Sequence, residues 1–432
     1  MNKVLFSILI FLFFNNCSSD KEKVLSDKKK TNLQKINNTK TVLTKQLRVE
    51  QEFNPKLEIK ISEEKFGTIS INNQNDIGEL SYKGLLEKIG KYKYSDFNDF
   101  EYIETKPIFY NENIIFFDNK GSIIFYDVNQ KVIWKKNFYN KSEKKTRPRL
   151  NLAIQNNVLI VTDSVAKYYA INVTTGEIIW SKNNIFPFGS DIKIIGDAFY
   201  VLDYKNTLRS FSIKDGSELW KLKTEGSLTK SNTKLSIVHD NEKIYFNNSI
   251  GDITSASIKS GELLWQLPTQ NSNIVNNIFR LSSSKLVVNE KSILFSNNKN
   301  EFYSIDTGTG LVNWKNEINS VIRPIVIGKF IVTISSTGYL YLVEKKSGNI
   351  LRISDLYKNY KSKKRNKVVP TGLIVAMNKV YLTNNDGKLI IADLNTGNIL
   401  NTIKITGGKI SQPYVYNENL FLIRNGSIIK YN

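Results

Sequence analysis

The stretch YAINVTTGEIIW (residues 169–180) predicts one β-strand, a tight turn and the start of a second strand. Closely similar stretches follow later in the chain: RSFSIKDGSELW (209–220), TSASIKSGELLW (254–265) and YSIDTGTGLVNW (303–314). Apolar runs that alternate with Asn, Asp, Ser and Gly turns also precede each copy. The chain is therefore predicted to repeat one small antiparallel unit several times.

The spacing of the tryptophans gives the size of this unit. Their positions are Trp134, Trp180, Trp220, Trp265 and Trp314, with gaps of 46, 40, 45 and 49 residues. A period of about 40–50 residues built only from short strands is typical of propeller blades, each with four antiparallel strands. No sustained helical periodicity competes with this interpretation.

A glycine precedes each repeated tryptophan by four residues. These glycines are Gly176, Gly216, Gly261 and Gly310. Two further copies keep the glycine, as Gly348 and Gly397, but carry Arg352 and Asn401 in place of tryptophan, and the first copy carries Gln130 in place of glycine. A tight turn between strands needs a positive φ, which glycine adopts most easily.

The residue ten positions before the tryptophan varies with it. It is small in four copies: Ala170, Ser210, Ser255 and Ser304. Where tryptophan is missing, the same position holds Leu342 and Ile391. This exchange of volumes is typical of a close-packed interior. We therefore predict that the tryptophans pack between blades and do not bind a ligand.

Eight hairpins can be counted, and the last one reaches the C-terminus without an outer strand. Residues 84–92 (GLLEKIGKY) precede the first hairpin and are the predicted donor of that strand. Closure by both ends of the chain would leave no exposed edge between the first and last blades. The predicted fold is all-β: an eight-bladed β-propeller of four-stranded antiparallel blades over residues 76–432, closed by an N-terminal strand.

The N-terminus is typical of an export signal. Lys3 precedes an apolar run from Val4 to Phe14, which is too short to span a bilayer. Cys17 follows directly and resembles the lipidated first residue of a bacterial lipoprotein, and Ser18 resembles the sorting pattern for the outer membrane. We predict a lipoprotein signal peptide (1–16) and lipidation of Cys17. The alternative is an ordinary cleaved signal with an incidental cysteine.

Residues 17–75 are polar, of mixed charge and poor in aromatics, so they are predicted to be a flexible tether. The whole chain carries a formal net charge of +21. Such a surplus favours an anionic partner, but export makes nucleic acid an unsuitable one. A lipid-anchored disc beside anionic headgroups and a general compositional bias are the two explanations that stay open.

Little in the sequence indicates catalysis. One cysteine and one histidine, His239, are too few for a cysteine-based metal cluster or a multi-histidine site. The paired carboxylates Glu63 and Glu64 lie in the predicted tether. No glycine-rich stretch precedes a helix as a phosphate-binding loop would. We predict no enzyme activity, no catalytic residues, no cofactor and no metal site.

The repeated phrases resemble the tryptophan-docking repeats of the PQQ-type propellers. Together with the signal and Cys17, eight such repeats resemble the BamB family, accessory lipoproteins of the outer-membrane β-barrel assembly (BAM) machine. The resemblance implies a non-enzymatic scaffold at the periplasmic face of the outer membrane. Its implied partner is the periplasmic (POTRA) region of BamA. From the architecture alone we also predict pairing of unfolded outer-membrane proteins with a blade edge.

The resemblance implies two partner-binding loops. A family Leu-x-Leu-Arg loop is matched loosely by Leu228 and Lys230, and a family Arg-Leu-Ser-Asp-x-Asp stretch is matched by Arg280, Leu281 and Ser282. Ser283 and Lys285 replace the two family acids, which predicts a more basic surface. Arg280 and Lys230 could instead be ordinary solvated charges.

Two other functions stay open from the sequence. One is a periplasmic propeller that binds a small ligand in its channel, or a scaffold for another envelope partner. The other is a PQQ-dependent dehydrogenase, which would need a calcium-binding carboxylate and a catalytic aspartate over the quinone.

Overall fold

The computed structural model of the 432-residue chain describes residues 51–52, 78–104, 106–225, 233–269 and 281–432. Contacts divide the chain into Met1–Val49, which lies outside these residues, and Glu50–Asn432. The predicted signal peptide, Cys17 and nearly all of the predicted tether therefore fall outside the described residues. Within them, no helix is both long enough and apolar enough to span a bilayer.

Eight antiparallel sheets of four strands form a ring, so the predicted eight-bladed propeller is confirmed. Three strands precede the ring: β1 (Gln51–Glu52), β2 (Glu79–Leu80) and β3 (Lys88–Lys93). The first two blades are β4 (Ile108–Tyr110), β5 (Asn113–Phe117), β6 (Ile123–Tyr126), β7 (Val132–Lys136), β8 (Leu150–Gln155), β9 (Val158–Asp163), β10 (Lys167–Asn172) and β11 (Ile178–Asn183). The next two are β12 (Lys193–Ile195), β13 (Ala198–Leu202), β14 (Thr207–Ser212), β15 (Glu218–Lys223), β16 (Ile237–His239), β17 (Lys243–Asn247), β18 (Ile253–Ser257) and β19 (Leu263–Leu267).

The second half of the ring follows the same order. Blades 5 and 6 are β20 (Val287–Asn289), β21 (Ser292–Asn297), β22 (Glu301–Asp306), β23 (Val312–Asn316), β24 (Ile325–Ile327), β25 (Phe330–Ile334), β26 (Tyr339–Glu344) and β27 (Ile350–Asp355). Blades 7 and 8 use β28 (Pro370–Ala376), β29 (Lys379–Asn384), β30 (Lys388–Asp393), β31 (Ile399–Lys404), β32 (Tyr414–Tyr416), β33 (Asn419–Arg424) and β34 (Ser427–Tyr431). In the described part of the chain, two short helices, α1 (Lys141–Lys145) and α2 (Ser362–Arg365), and a 3-10 turn at Phe100–Tyr102 lie in connections.

The last blade is completed from the N-terminal side, as predicted. Strand β3 pairs antiparallel with β34, with Tyr92 opposite Ile428. The strand begins at Lys88, four residues after the predicted start. At the junction of blades 8 and 1, the rings of Phe109 and Tyr416 stack with centroids 4.7 Å apart. The ring is therefore closed both by strand pairing and by aromatic packing.

Two strands extend blades beyond the predicted four. β1 pairs antiparallel with the outer strand β27 of blade 6, with Glu52 opposite Arg352. β2 pairs in parallel with the inner strand β28 of blade 7. Because β1 lies at residues 51–52, this part of the predicted tether is paired with the propeller. The sequence shows no repeat around residues 51–52 from which this pairing could be predicted.

The two middle strands of each blade lie between neighbouring blades. All five side chains of β13 are buried, whereas the outer strand β15 alternates between exposed and half-buried residues. Sheets packed on both faces select continuous apolar runs, and outer strands select alternation. This difference explains why the first part of each repeat reads as an apolar run.

The residue four positions before the turn glycine builds the tight turn, as Asn172 shows. Asn172 Oδ1 accepts hydrogen bonds from the backbone N–H groups of Thr174 and Thr175, at 3.0 and 3.1 Å. The Gly176 N–H donates to the Asn172 carbonyl at 2.8 Å, and Gly176 has φ +70°. Gln130 adopts φ +64° in the same role, and its Oε1 accepts from the Lys91 N–H at 3.3 Å. The turn of blade 1 that contains Gln130 thus contacts the closing strand β3.

Each tryptophan contacts the turn of the next blade. The indole N–H groups donate to backbone carbonyls as follows: Trp134 to Val173 (2.8 Å), Trp180 to Ile213 (2.8 Å), Trp220 to Ile258 (3.0 Å), Trp265 to Thr307 (3.2 Å) and Trp314 to Lys345 (3.0 Å). The turn glycine of that next blade lies against the same indole. Within its own blade, Trp180 is opposite Ala170 and Trp220 is opposite Ser210. The small residue leaves space beside the indole.

Arg352 takes over this contact where tryptophan is missing. Its guanidinium donates to the carbonyls of Leu394 and Asn395 in the turn of blade 7. Arg352 is buried, and the larger Leu342 is opposite it in the register. Asn401, by contrast, is exposed. At that junction the Tyr82 ring packs edge-on against Tyr381, with centroids 5.5 Å apart.

Candidate functional site at the channel mouth

The inner strands of the ring surround a cavity on its axis. The residue two positions before the inner strand lines this cavity in five blades: Lys106, Asp191, Lys285, Arg323 and Gln412. Lys234 and Gly372 extend the lining to blades 4 and 7, and Tyr414 adds a second residue from blade 8. The cavity has a volume of about 300 Å³, and we call it the channel cavity. Seven of the eight blades contribute to it.

The channel cavity is predominantly basic. It is lined by five cationic side chains, namely Lys106, Lys234, Lys285, Arg323 and Lys409, and by three carboxylates, namely Glu101, Glu104 and Asp191. A smaller cavity of about 60 Å³ shares several of these residues and adds Lys193. Around that smaller cavity four cations face the single carboxylate of Asp191.

Asp191 is the centre of the ion pairs. Its carboxylate contacts the Lys285 ammonium, and the Lys234 Nζ lies 3.4 Å from its Oδ1. Lys285 also lies 3.4 Å from Glu104 Oε2, and Lys234 donates to Asn151 Oδ1 at 2.7 Å. One carboxylate is thus shared by lysines from two blades.

The pKa values show how crowded these charges are. Burial alone would raise the pKa of Asp191, but the charges of Lys285, Lys234 and Lys106 lower it well below its usual range. Burial, together with repulsion from Lys285 and Arg323, lowers the pKa of Lys106 to about 8 despite the attraction of Asp191. Burial and the charges of Arg323 and Lys106 lower the pKa of Lys193 as well. Burial and mutual repulsion therefore disfavour the charged forms of Lys106 and Lys193.

The two predicted docking loops end beside this cavity. Residues 226–232 and 270–280 lie outside the described residues, and Thr233 and Ser283, which follow them closely, line the cavity. The backbone N–H of Ser283 donates to Thr233 Oγ1 at 3.1 Å. The C-terminal ends of both connections are therefore joined to each other at the channel mouth.

Of the four predicted docking residues, the structure describes only Leu281. Leu228, Lys230 and Arg280 lie outside the described residues. Leu281 is described and only 3% exposed, so a partner would reach its side chain only after a rearrangement. Lys285 points into the channel cavity and pairs with Asp191.

Sequence reasoning missed the channel residues. Lys106, Asp191, Lys193 and Arg323 have no motif of their own. The available signal was positional: a charged residue recurs just before the inner strand, as in KPIFY (106–110) and RPIVI (323–327). Only the ring brings these separate positions together.

Comparison with known families agrees with this architecture. Residues 119–354, more than half of the chain, match the family described as "Outer membrane protein assembly factor BamB". The chain belongs to the BamB family.

Among the described residues, no group of three His, Cys, Asp or Glu side chains is placed to hold a metal ion.

Solved structures share the fold at low sequence identity. BamB from Moraxella catarrhalis matches with a TM-score of 0.65 and 14% identity, over 81% of this chain and 100% of that one. The computationally designed Ika8 protein matches with a TM-score of 0.60 and 12% identity, over 79% of this chain and 99% of that one. No curated protein matches the sequence significantly.

Enzymes share the same fold. The quinohemoprotein alcohol dehydrogenase of Comamonas testosteroni matches with a TM-score of 0.56 and 12% identity, over 84% of this chain and 81% of that one. At such identities the likeness concerns the fold alone. BamB-family membership therefore rests on the sequence match over residues 119–354.

Proposed function

We propose that this BamB-family chain is a non-enzymatic scaffold that assists the assembly of outer-membrane β-barrel proteins by binding the periplasmic domains of BamA. The observation that carries the proposal is the family match over residues 119–354, whose description names outer membrane protein assembly. The likeness to BamB from Moraxella catarrhalis, which covers the whole of that chain, shows that the two proteins share a fold.

The proposed location is the periplasmic face of the outer membrane, with a lipid on Cys17 as the anchor. The apolar run before Cys17 and the polar segment after it support this location. A disc on such a tether stays close to a membrane-bound partner, which raises the effective concentration of each for the other. In the proposed mechanism the tether confines the propeller near its membrane-bound partner, and the propeller presents its docking face to that partner.

The proposed docking face comprises the two connections that are followed by Thr233 and Ser283 at the channel mouth. The bond between Ser283 and Thr233 fixes the C-terminal ends of both connections side by side. The Ser282 N–H also donates to Asn298 Oδ1 at 3.1 Å, which ties the second connection to blade 5. Leu228, Lys230 and Arg280 would then contact one partner surface together.

Crosslinking and capture from solubilised membranes tests this face. We expect the wild-type chain to capture the BamA homologue, and the Leu228→Asp/Arg280→Glu variant to lose most of that capture because it places negative charge on both connections. The matched control is Leu400→Asp/Lys404→Glu, the same change of charge on exposed residues of blade 7. A Cys17→Ser variant should leave the membrane fraction.

Equal capture by both double variants would contradict the proposed face. Failure of the wild type to capture any BamA homologue would contradict the scaffold function itself. Far-UV circular dichroism on each variant separates loss of binding from loss of folding.

The electrostatics of the channel cavity support a non-enzymatic role. A divalent cation over a quinone needs free carboxylate ligands. Asp191 instead contacts Lys285 and lies close to Lys234, and Glu104 faces Lys285. The lining carries an excess of positive charge, which repels a divalent cation.

Unfolded barrel proteins are the second proposed partner, and the outer blade edges would bind them. β1 shows that the edge of β27 accepts an added antiparallel strand. Other outer strands expose apolar side chains, including Leu219 (56%) and Leu264 (45%). We expect a peptide from a barrel strand to slow amide exchange in outer strands such as β15 and β19. Unchanged exchange at saturating peptide would contradict this role.

A further inference from the structure

We propose that the face of the propeller around the channel mouth carries a surface that docks on a bilayer of anionic phospholipid, of which phosphatidylglycerol is the example tested below. The surface comprises the two basic connections that contain α1 and α2 and the exposed side chains of Tyr102 and Ile185. We call it the basic arc. The inference goes beyond the scaffold function and does not depend on it.

The topology of the ring brings these parts to one face. The strands of each blade alternate in direction, so every connection from an outer strand to the next inner strand leaves the ring at the same face. The ends of these connections line the channel cavity, as Lys106 and Val369 show. Tyr102 lies between blades 8 and 1, α1 between blades 1 and 2, Ile185 between blades 2 and 3, and α2 between blades 6 and 7. The predicted docking connections follow blades 3 and 4 and are not part of the arc.

The connection that contains α2 is strongly basic. Residues 356–369 hold five lysines, one arginine and no carboxylate. Arg365 lies 2.7 Å from Asp355 Oδ2, and Lys364 Nζ lies 3.0 Å from Asp386 Oδ2, which ties the short helix to the blades on both sides. The other four lysines are exposed: Lys358, Lys361, Lys363 and Lys367. A cluster of exposed ammonium groups is therefore held beside the channel mouth.

The connection that contains α1 is basic in the same way. Its carboxylate, Glu143, accepts a hydrogen bond from the Asn140 N–H at 2.8 Å and lies 2.9 Å from Lys167 Nζ. Arg149 pairs with Asp99 of the preceding connection. Three further cations are exposed: Lys141, Lys145 and Arg147. Because Lys167 and Arg149 neutralise the two carboxylates, the exposed charge of this connection is positive.

Two apolar side chains give the basic arc a second property that suits a bilayer. Tyr102 is 82% exposed and Ile185 is 81% exposed, the highest values among the large hydrophobic side chains that the structure describes. They lie in the connections on either side of α1. Tyrosine is enriched where proteins meet the headgroup layer, and an inserted aliphatic side chain adds hydrophobic free energy to the attraction of cations for anionic lipid.

The spread of the charges favours a bilayer over an acidic protein segment. The connections of α1 and α2 lie three blades apart around the ring, counted through blade 8. A planar surface can contact both connections at once, whereas a short acidic segment would reach only one of them. Clusters of about four to eight lysines or arginines bind anionic lipid by summed electrostatic attraction and need no shaped pocket.

Co-sedimentation with vesicles tests the basic arc. The full mature chain carries Cys17→Ser in this assay, so that no attached lipid contributes to binding. We expect this parent chain to bind vesicles of equal parts phosphatidylglycerol and phosphatidylcholine, more weakly as salt is added, and not to bind vesicles of phosphatidylcholine alone. Lys361→Gln/Lys363→Gln/Lys367→Gln should weaken binding by about tenfold or more, because each lysine near an anionic surface contributes to the attraction.

A matched variant controls for the general basic charge of the protein. Lys214→Gln/Lys259→Gln/Lys346→Gln removes the same charge from exposed turns at the opposite face and should bind like the parent chain. All six lysines are exposed, so both triple variants should fold, which circular dichroism checks. Equal weakening in the two variants would overturn the proposal, as would the absence of binding by the parent chain.

The apolar side chains are tested by the salt dependence of binding. Salt screens the lysines but not an inserted side chain, so Tyr102→Ser/Ile185→Ser should remove the part of the binding that persists at raised salt. An unchanged salt curve in this variant would contradict insertion.

Soluble poly-glutamate serves as the acidic protein in a parallel assay. Binding to poly-glutamate that depends on Lys361, Lys363 and Lys367, without binding to the vesicles, would overturn the bilayer and assign the basic arc to an acidic protein.

Discussion

Deletion of residues 1–94 is expected to abolish folding of the propeller, whereas deletion of residues 1–77 is expected to leave it folded. The longer deletion removes β3 and with it three buried tyrosines, Tyr82, Tyr92 and Tyr94. Tyr92 packs edge-on against Tyr126, and the Tyr94 hydroxyl donates to the Arg424 carbonyl at 2.6 Å. Loss of a large buried aromatic side chain costs about 3–5 kcal/mol. Three such losses match the whole stability of a typical domain, about 5–15 kcal/mol.

The two deletions can be compared by far-UV circular dichroism and size-exclusion chromatography of the soluble chains. The longer deletion also leaves the edge of β34 unpaired, so we expect aggregation. A synthetic peptide of residues 79–95, added during refolding, should partly restore a monomeric product. A folded, monomeric product of the longer deletion without peptide would show that β3 is dispensable for closure.

Gly216→Ala is expected to lower the free energy of unfolding by about 2–5 kcal/mol. Gly216 has φ +68°, and a Cβ there would lie 2.6 Å from Cζ3 of Trp180. The left-handed conformation alone costs an alanine about 1–2 kcal/mol, and overpacking adds about 1–3 kcal/mol. Chemical denaturation monitored by tryptophan fluorescence measures the change.

Gly196→Ala in the same blade is the matched control. Gly196 has φ +58°, and nothing lies within 4 Å of its added Cβ. Its cost should be limited to the backbone strain of about 1–2 kcal/mol. Equal losses for the two substitutions would show that contact between Trp180 and the turn of the next blade does not contribute to the unfolding free energy.

Most of the fold could be predicted because the repeat encodes it locally. An Asn, Asp, Ser or Glu begins the turn, the glycine adopts its positive φ, and the tryptophan contacts the turn of the next blade. These relations lie within a few residues or one period, so one sequence displays them repeatedly. The closing strand could be predicted from a deficit, since the eighth hairpin has no outer strand of its own.

What could not be predicted depends on contacts across the ring. Arg352 replaces a tryptophan by donating to two carbonyls of the next blade, which its sequence position does not reveal. The pairing of β1 with β27 joins residues about 300 positions apart. The channel cavity gathers single residues from seven blades, and no local pattern marks them as one site. Leu281 matched a family motif but proves to be buried.

The central claim is that this chain is a scaffold for BamA. Isothermal titration calorimetry of the full mature chain against the purified periplasmic domains of BamA from the same organism tests it most directly. We predict saturable binding with one propeller per BamA, weakened by Leu228→Asp/Arg280→Glu and unchanged by Leu400→Asp/Lys404→Glu. The absence of binding by the folded wild-type chain at any concentration tested would contradict the scaffold function.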